Sequence, residues 1–237
     1  MKARLHRAID ADRPLTHDGE HVVIFDLDGT LVDSVDGIAL AINRLLRSQR
    51  AAPLSRRESA ALLGDGLEAF ARRAFQLRGL TLKSAQLEQF LDNYLAHPLD
   101  GAKLYPGVEA TLNLLAQTGG QLAVCTNKSE APARLILDGQ GILDRFEVVC
   151  CGDTVTAQKP QPEHIAQTLL RGGWQGLPAV MVGDNRVDVA AASAYGIPSV
   201  FAGWGYGAPP DDRSSFRFAS AFTQLPELVN ELFSRAT

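Results

Sequence analysis

The chain has 237 residues, of which 46% are hydrophobic and 21% charged, and its formal net charge is -4. This composition excludes a disordered or fibrous protein, and the length allows one large domain or a domain that carries an insertion. The weak negative charge gives no field that would attract nucleic acid, so we predict no nucleic-acid partner.

Nothing in the sequence indicates a membrane protein. No apolar run approaches the roughly 18 residues that span a bilayer, and the N-terminus does not lead into an apolar signal core. We therefore predict a cytoplasmic protein with no membrane partner. Cys125, Cys150 and Cys151 lie in apolar runs without metal-ligand spacing, which is typical of small buried residues in a reducing compartment. The oligomeric state cannot be read from the sequence.

The first structured segment is predicted to begin at His21, after a polar extension over residues 1–20. An apolar run ends in Asp26, Asp28 and Gly29, which indicates a buried strand followed by a turn. Open α/β sheets bind ligands at this end of a strand, and two like charges so close together call for a cation or a shared proton. The alternative is an ordinary hairpin turn, because Asp-Gly also favours that structure.

Residues 36–100 have the apolar spacing of helices and contain no strand pattern. This indicates a small helical bundle inserted after the first strand. We therefore predict an inserted helical domain over residues 36–104 and a core domain formed by residues 21–35 and 105–237.

From Tyr105 onwards, strand and helix patterns alternate. Helices are predicted over 107–118, 129–139, 161–172 and 186–195, with strands over 121–125, 146–151, 178–183 and 198–202 and a closing helix near 225–232. With the first strand this makes five strands. Such alternation predicts a doubly wound parallel sheet, a Rossmann-like α/β fold with right-handed crossovers.

Polar side chains follow several of these predicted strands. Thr126 and Asn127 follow one strand, Asp184 follows another, and Lys159 stands alone in a polar stretch between them. Because the loops after parallel strands converge on one edge of the sheet, we expect Asp26, Asp28, Thr126 and Asp184 to meet there. The oxygen-rich set suits Mg²⁺, a hard ion that binds carboxylates, water and phosphate.

Asp26, Thr126, Lys159 and Asp184, in this order and each at the start of a loop, resemble the four motifs of the haloacid dehalogenase-like (HAD) hydrolase superfamily. The segment Leu31–Ser34 and the long stretch between the first two motifs resemble the subgroup with a helical cap, which includes phosphoglycolate phosphatases. The resemblance implies a phosphoric monoester hydrolase with a Rossmann-like core and an inserted α-helical cap.

The resemblance also implies roles for the residues that match. Asp26 would attack phosphorus and form an aspartyl-phosphate, and Asp28 would serve as general acid and then general base. The side chains of Asp26 and Asp184 and the main-chain carbonyl of Asp28 would hold Mg²⁺. Thr126, the backbone around Asn127, and Lys159 would stabilise the phosphoryl oxygens.

Each supporting residue also has a purely structural interpretation. Thr126 and Asn127 are placed to cap the helix that follows, and an isolated Lys159 is commonly just solvated. Asp188 is either a helix N-terminal charge or a residue that orients Lys159, and we favour support of the site over direct metal binding. Asn185 occupies a position where relatives often carry serine, and we expect it to support the site as well.

The substrate is predicted to be a small phosphorylated metabolite, with 2-phosphoglycolate first among the candidates. Substrate choice is assigned to the cap residues Gly64, Asp65 and Gly66 and to Tyr206 in the core. At most one arginine of the cap is expected to bind an anionic part of the substrate, among Arg56, Arg57, Arg72, Arg73 and Arg78.

Other functions stay open at this point. Relatives with such a cap hydrolyse sugar phosphates or amino-sugar acid phosphates, and a phosphomutase would use the same aspartyl-phosphate. A dehalogenase is disfavoured because it needs no metal. A non-catalytic scaffold is disfavoured because the attacking carboxylate of Asp26 is present.

Overall fold

Residues 21–234 are described by the computed structural model, so the predicted extension over 1–20 lies outside the described residues. The strands are β1 (His21–Phe25), β2 (Val32–Asp33), β3 (Lys103–Leu104), β4 (Gly120–Thr126), β5 (Val148–Cys151), β6 (Ala179–Gly183), β7 (Ser199–Ala202) and β8 (Arg217–Ala219). The helices are α1 (Val35–Ser48), α2 (Arg56–Leu62), α3 (Gly66–Leu77), α4 (Ser84–Ala96), α5 (Val108–Gln117), α6 (Glu130–Gly139), α7 (Glu163–Gly172), α8 (Arg186–Tyr195) and α9 (Leu225–Ser234).

Six strands form a sheet in the order β5-β4-β1-β6-β7-β8, and every neighbouring pair is parallel. The strand β1 lies between β4 and β6, and its residues 22–25 are fully buried, as expected of a strand covered on both faces. The carboxyl ends of β1, β4 and β6 therefore lie side by side. The predicted doubly wound α/β fold is confirmed.

The prediction of five strands was wrong by one, because it missed the edge strand β8. This strand has only three residues, and two of them, Arg217 and Phe218, are exposed. Pairing with β7 forms it, through the register of Val200 with Arg217 and Phe201 with Phe218. A short edge strand with a charged, exposed residue has neither the apolar run nor the alternation that identifies a strand in a sequence.

Helices cover both faces of the sheet. On one face, Val23 and Phe25 of β1 share a core with residues of α5, α6 and α9, such as Leu112, Ile136 and Val229. On the other face, the alternate residues Val22 and Ile24 pack with α7 and α8, through residues such as Ile165 and Ala191. Alternation along β1 thus determines which layer each side chain joins.

The helices α1–α4 have a hydrophobic cluster of their own. It includes Ile38 and Ile42 of α1, Phe70 and Phe75 of α3 and Phe90 of α4. The stretch from 36 to 100 is described throughout and holds helices without a strand, as the apolar spacing predicts. The chain enters and leaves this cluster through the antiparallel pair β2 and β3, which is too short for the sequence pattern to reveal.

The three cysteines lie in the sheet, and all are buried and unpaired. Burial raises the pKa of the Cys125 and Cys151 thiols to about 12. These properties agree with the prediction of small buried residues.

Within residues 21–234, none of the helices has both the length and the apolar character that crossing a membrane would require.

Candidate active site

Polar side chains from separate loops meet at the carboxyl edge of the sheet. Asp26 and Asp28 follow β1, Thr126 ends β4, Asp184 follows β6, and Lys159 precedes α7. All of them line one pocket between this edge and a loop of the inserted helices. The sequence prediction that these distant residues converge is therefore confirmed by their positions.

Lys159 links the acidic residues of the site. Its Nζ lies 2.9 Å from Asp26 Oδ1 and 2.7 Å from Asp188 Oδ1, and it donates to the carbonyl oxygen of Cys125 at 2.6 Å. Its side chain is only 1% exposed. Burial opposes the ammonium charge, but the carboxylates of Asp188 and Asp26 raise the pKa of Lys159, so it stays a cation. The alternative of a solvated surface lysine is excluded.

Asp184 is a buried carboxylate that is held by hydrogen bonds alone. The backbone N–H groups of Tyr206 and Gly207 donate to its Oδ2 at 2.7 and 3.3 Å, and the Thr30 hydroxyl donates to its Oδ1 at 3.4 Å. Burial first, and then the charges of Asp26 and Asp188, raise the pKa of Asp184 to about 8. No lysine or arginine forms an ion pair with it among the described residues.

Glycine makes room for this carboxylate. Gly29 has φ +83°, and a Cβ at that position would clash with the side chain of Asp184. The Asp-Gly pattern after β1 therefore allows the loops after β1 and β6 to approach each other closely, which a β-hairpin turn would not require. The hairpin alternative is excluded because β1 is followed by the turn into the inserted helices.

One group of carboxylates has the geometry of a metal site. Oxygen atoms of Asp26, Asp184 and Asp188 all lie within 4.8 Å of one another. Among residues 21–234, the one cation that pairs with this group is Lys159, which contacts Asp26 and Asp188 but not Asp184. A divalent cation fits this donor set, because hard ions prefer carboxylate oxygens. Its charge would also favour the ionised form of Asp184 and so lower the pKa that burial has raised.

Asp188 has both of the roles that the sequence left open, as a charge at the start of a helix and as a partner of Lys159. It lies in the first turn of α8, where it accepts a hydrogen bond from the backbone N–H of Asn185 at 3.0 Å, and it also pairs with Lys159. Asn185 is the N-cap of α8, and its Oδ1 accepts from the N–H of Val187 at 3.3 Å. The two residues form a capping box, which fixes the start of the helix beneath the site.

Thr126 and Asn127 do not cap α6, whose N-cap is Ser129. The Thr126 hydroxyl accepts from the N–H of Lys128 at 3.2 Å, and the Asn127 side chain holds the Lys159 backbone through two hydrogen bonds of 2.9 and 3.1 Å. Asn127 thus fixes the loop that carries Lys159. Its side chain is used in that contact, so a role of the backbone around Asn127 in binding phosphoryl oxygens stays a prediction.

Lys128 is a site residue to which the sequence analysis gave no role. Its Nζ lies 2.8 and 3.1 Å from the two carboxylate oxygens of Asp28, and the Ser34 hydroxyl donates to the same carboxylate at 2.5 Å. Although burial opposes its charge, Asp28 and Tyr94 raise the pKa of Lys128. The available signal was a lysine two positions after a buried strand, next to Thr126 and Asn127.

The loop before α3 closes the pocket from the side of the inserted helices. Gly64 and Gly66 line the pocket, and a Cβ on Gly64 would lie 2.5 Å from Asn185 Nδ2. Asp65 is exposed and pairs with Arg73 outside the pocket wall. Of the three residues proposed to select the substrate, the two glycines therefore face the site and Asp65 does not.

Tyr206 lines the pocket but uses its hydroxyl elsewhere. The hydroxyl accepts from the N–H groups of Ser34 and Val35 at 2.7 and 3.1 Å and donates to Asp33 Oδ1 at 2.9 Å. These residues lie where the chain leaves the core for α1. The backbone of Tyr206 holds Asp184, so one residue connects the acidic cluster with the entry to the inserted helices.

Most arginines of the inserted helices are occupied by acidic neighbours. Arg56 pairs with Asp33 and Asp36, Arg72 with Glu68, Arg73 with Asp65, and Arg78 with Glu58. None of the five arginines that the sequence analysis considered lines the pocket. An anion bound in this pocket would therefore contact Lys128 and Lys159 and none of these arginines.

The arrangement suits nucleophilic attack on an electrophilic phosphorus. Asp26 faces the pocket with one oxygen held by Lys159, and Asp28 faces it with its carboxylate held by Lys128. One carboxylate is thus available for attack and the other for proton transfer, beside two lysines that offset anionic charge.

A family model for haloacid dehalogenase-like hydrolases matches residues 23–202. The chain is 42% identical over 196 residues to the phosphoglycolate phosphatase of Rhodospirillum rubrum, a match that covers 79% of this chain and 81% of that protein. It is 36% identical over 189 residues to the phosphoglycolate phosphatase of Agrobacterium fabrum, covering 78% and 81%.

Solved structures show the same fold. A predicted phosphoglycolate phosphatase from Haemophilus somnus has a TM-score of 0.80 at 27% identity, covering 89% of this chain and 98% of that chain. CbbY from Rhodobacter sphaeroides, solved in complex with phosphate, has a TM-score of 0.70 at 21% identity, covering 86% and 95%.

Proposed function

Because the chain belongs to the haloacid dehalogenase-like hydrolases and is a phosphoric monoester hydrolase, we propose that it hydrolyses 2-phosphoglycolate with Mg²⁺ through an aspartyl-phosphate on Asp26. The observation that carries this proposal is the placement of Asp26 in the pocket, with Lys159 at 2.9 Å and the carboxylates of Asp184 and Asp188 beside it. This is a nucleophile with cation-binding groups around it.

In the first step, a carboxylate oxygen of Asp26 attacks phosphorus and the bond from phosphorus to the ester oxygen breaks. Asp28 gives its proton to the departing oxygen, which leaves as an alcohol. In the second step, water attacks the phosphorus of the aspartyl-phosphate, Asp28 takes a proton from that water, and inorganic phosphate leaves. Asp26 is then a carboxylate again and Asp28 has regained its proton.

The chain supplies positioning and charge for both steps. Lys159 orients Asp26 and offsets the charge of the phosphoryl oxygens, and Thr126 offers its hydroxyl at the end of β4. Asp26 and Asp184 are the side chains that would hold Mg²⁺, with the main-chain carbonyl of Asp28 as the family resemblance implies, and Asp188 would support the site through Lys159. When bound, the ion would neutralise charge on the phosphoryl group.

Ser34 and Lys128 hold the Asp28 carboxylate on the side of the pocket that faces the inserted helices. The departing alcohol would therefore lie toward those helices, and the phosphoryl group toward the sheet. Gly64 and Gly66 line the pocket, and the close approach of Gly64 to Asn185 leaves little room beside the loop, which favours a small substrate. The relatives from Rhodospirillum rubrum and Agrobacterium fabrum are named phosphoglycolate phosphatases, which supports the same substrate.

The test is a panel of phosphate monoesters, assayed for kcat/KM with Mg²⁺ and with chelator. The panel contains 2-phosphoglycolate, sugar phosphates and an amino-sugar acid phosphate, and sugar products are analysed for phosphate returned to another carbon. We expect Mg²⁺-dependent release of phosphate with 2-phosphoglycolate preferred. Retained phosphate on a sugar would indicate a phosphomutase instead.

The nucleophile is tested by Asp26→Asn beside Asp211→Asn, an exposed aspartate outside the pocket. We expect the first variant to lose turnover by about 10⁴-fold or more, since the covalent step requires the carboxylate, and the control to keep it. If Asp26→Asn releases phosphate at the wild-type rate, the proposed nucleophile is wrong.

A further inference from the structure

The described residues that line the pocket include two buried lysines whose charges are balanced differently. Lys159 contacts two carboxylates and a backbone carbonyl, so its three donors are used inside the catalytic cluster. Lys128, with a side chain only 1% exposed, pairs with a single carboxylate, that of Asp28. An anionic group of the substrate other than the phosphoryl group would therefore pair with Lys128.

Tyr94 provides a second, independent observation at the same place. It comes from α4 of the inserted helices, is 2% exposed, and its ring centroid lies 4.9 Å from Lys128 Nζ. Its buried hydroxyl lies beside the Lys128 ammonium, which can only donate, and the hydroxyl proton has no acceptor in residues 21–234. Burial raises the pKa of Tyr94, so the hydroxyl keeps its proton and is available as a donor. A buried O–H group whose proton has no acceptor is unfavourable, and an acceptor bound beside Lys128 would satisfy it.

The position of Lys128 relative to the reaction limits what this acceptor can be. Lys128 contacts Asp28 directly, and Asp28 is the residue that would meet the departing ester oxygen. A group bound by Lys128 must therefore lie close to that oxygen. A carboxylate attached to the carbon that carries the phosphate meets this requirement, whereas the carboxylate of a large sugar acid, far from its phosphate, does not.

We propose that Lys128 and Tyr94 form a subsite for the carboxylate of a 2-phosphorylated hydroxy acid, which selects such substrates over neutral phosphate monoesters. This inference rests on the proposed function and adds the residues that recognise the leaving group. The substrate carboxylate would accept hydrogen bonds from the Lys128 ammonium and the Tyr94 hydroxyl, while Ser34 continues to hold Asp28. Because Tyr94 belongs to α4, the inserted helices would contribute directly to substrate choice.

The test compares two substrates that differ only at this group. In 2-hydroxyethyl phosphate, a neutral CH₂OH replaces the carboxylate of 2-phosphoglycolate. The quantity measured is the ratio of kcat/KM for 2-phosphoglycolate to kcat/KM for 2-hydroxyethyl phosphate, with Mg²⁺ present. A change in the support of Asp28 affects both substrates, so the ratio isolates recognition of the carboxylate.

For wild type we expect a preference for 2-phosphoglycolate. Lys128→Met should lower the preference ratio by about 30-fold or more, the low end of what losing one partner of a buried charge pair causes. Tyr94→Phe, which keeps the ring and removes only the hydroxyl, should lower it by roughly 5-fold to 10-fold. Lys83→Met, at an exposed lysine of the same group of helices, is the matched control and should leave the ratio unchanged.

Thermal unfolding of each variant shows whether it is folded, and Tyr94→Phe provides the test if Lys128→Met is not. If kcat/KM falls by the same factor for both substrates in Lys128→Met and in Tyr94→Phe, the proposed subsite is wrong, even if the enzyme remains an active phosphatase. If wild type hydrolyses neither substrate, the proposed function fails instead, so the two failures are distinct.

Discussion

Asp184→Asn is expected to stabilise the metal-free protein while it abolishes the reaction. Burial and the charges of Asp26 and Asp188 raise the pKa of Asp184 to about 8, against an ordinary value of 3.8. Between these values the folded state binds a proton that the unfolded state has released. Stability should therefore fall as the pH rises through this window, and asparagine, which has no charge to bury, should not show this loss.

The magnitude follows from the difference between the two pKa values. Each pH unit within the window is worth about 1.4 kcal/mol, so the gap from 3.8 to about 8 corresponds to at most about 6 kcal/mol at high pH. Between pH 5 and pH 8, the stability of Asp184→Asn relative to wild type should rise by about 4 kcal/mol. The hydrogen bond from the Tyr206 N–H is retained, because the asparagine oxygen accepts it.

The assay is denaturant unfolding with chelator at pH 5, 6, 7 and 8, on wild type, Asp184→Asn and the exposed control Asp211→Asn. Added Mg²⁺ should then stabilise wild type at pH 8 and have little effect on Asp184→Asn, because a ligand stabilises only the state that binds it. A stability difference that does not change with pH, or a variant less stable than wild type at pH 8, would refute the reasoning.

Three further substitutions test individual contacts of the site. Lys159→Ala should lower kcat by about 10³-fold with the fold retained, since it removes the cation beside Asp26; steady-state kinetics and circular dichroism check both parts. Tyr206→Phe removes three hydrogen bonds at the entry to α1 and should cost about 1–3 kcal/mol in denaturant unfolding, which the exposed control Tyr195→Phe should not. Gly64→Ala would place a methyl group 2.5 Å from Asn185 Nδ2 and should raise KM by about 10-fold, whereas Gly79→Ala, also at positive φ but with nothing nearby, should leave KM unchanged.

The core of the fold could be predicted because its signals are local. Apolar runs that end in polar residues identify β1, β4 and β6, and the parallel topology then brings Asp26, Thr126 and Asp184 to one edge. Elements that depend on a partner strand gave no such signal. The strand β8 and the pair β2 and β3 are two or three residues long and exist through pairing with a neighbour.

The site could be predicted where a residue type has few structural uses, and less well where its role comes from tertiary contacts. Asp26 and Asp28 are unusual at the end of a buried strand, so they were recognised from the sequence. Lys128 was missed because its role depends on Asp28, 100 positions away along the chain, and on Tyr94 of α4. Asp65 is adjacent to the pocket in sequence, but its pairing with Arg73 turns it outward.

The covalent intermediate is the claim on which the mechanism depends, and chemical trapping tests it most directly. Wild type turning over 2-phosphoglycolate with Mg²⁺ is quenched within milliseconds, reduced with borohydride, which converts an acyl phosphate to an alcohol, and digested for mass spectrometry. Homoserine at position 26, absent without substrate and from Asp26→Asn, is the predicted result. Homoserine at another aspartate, with position 26 unchanged, would contradict the mechanism.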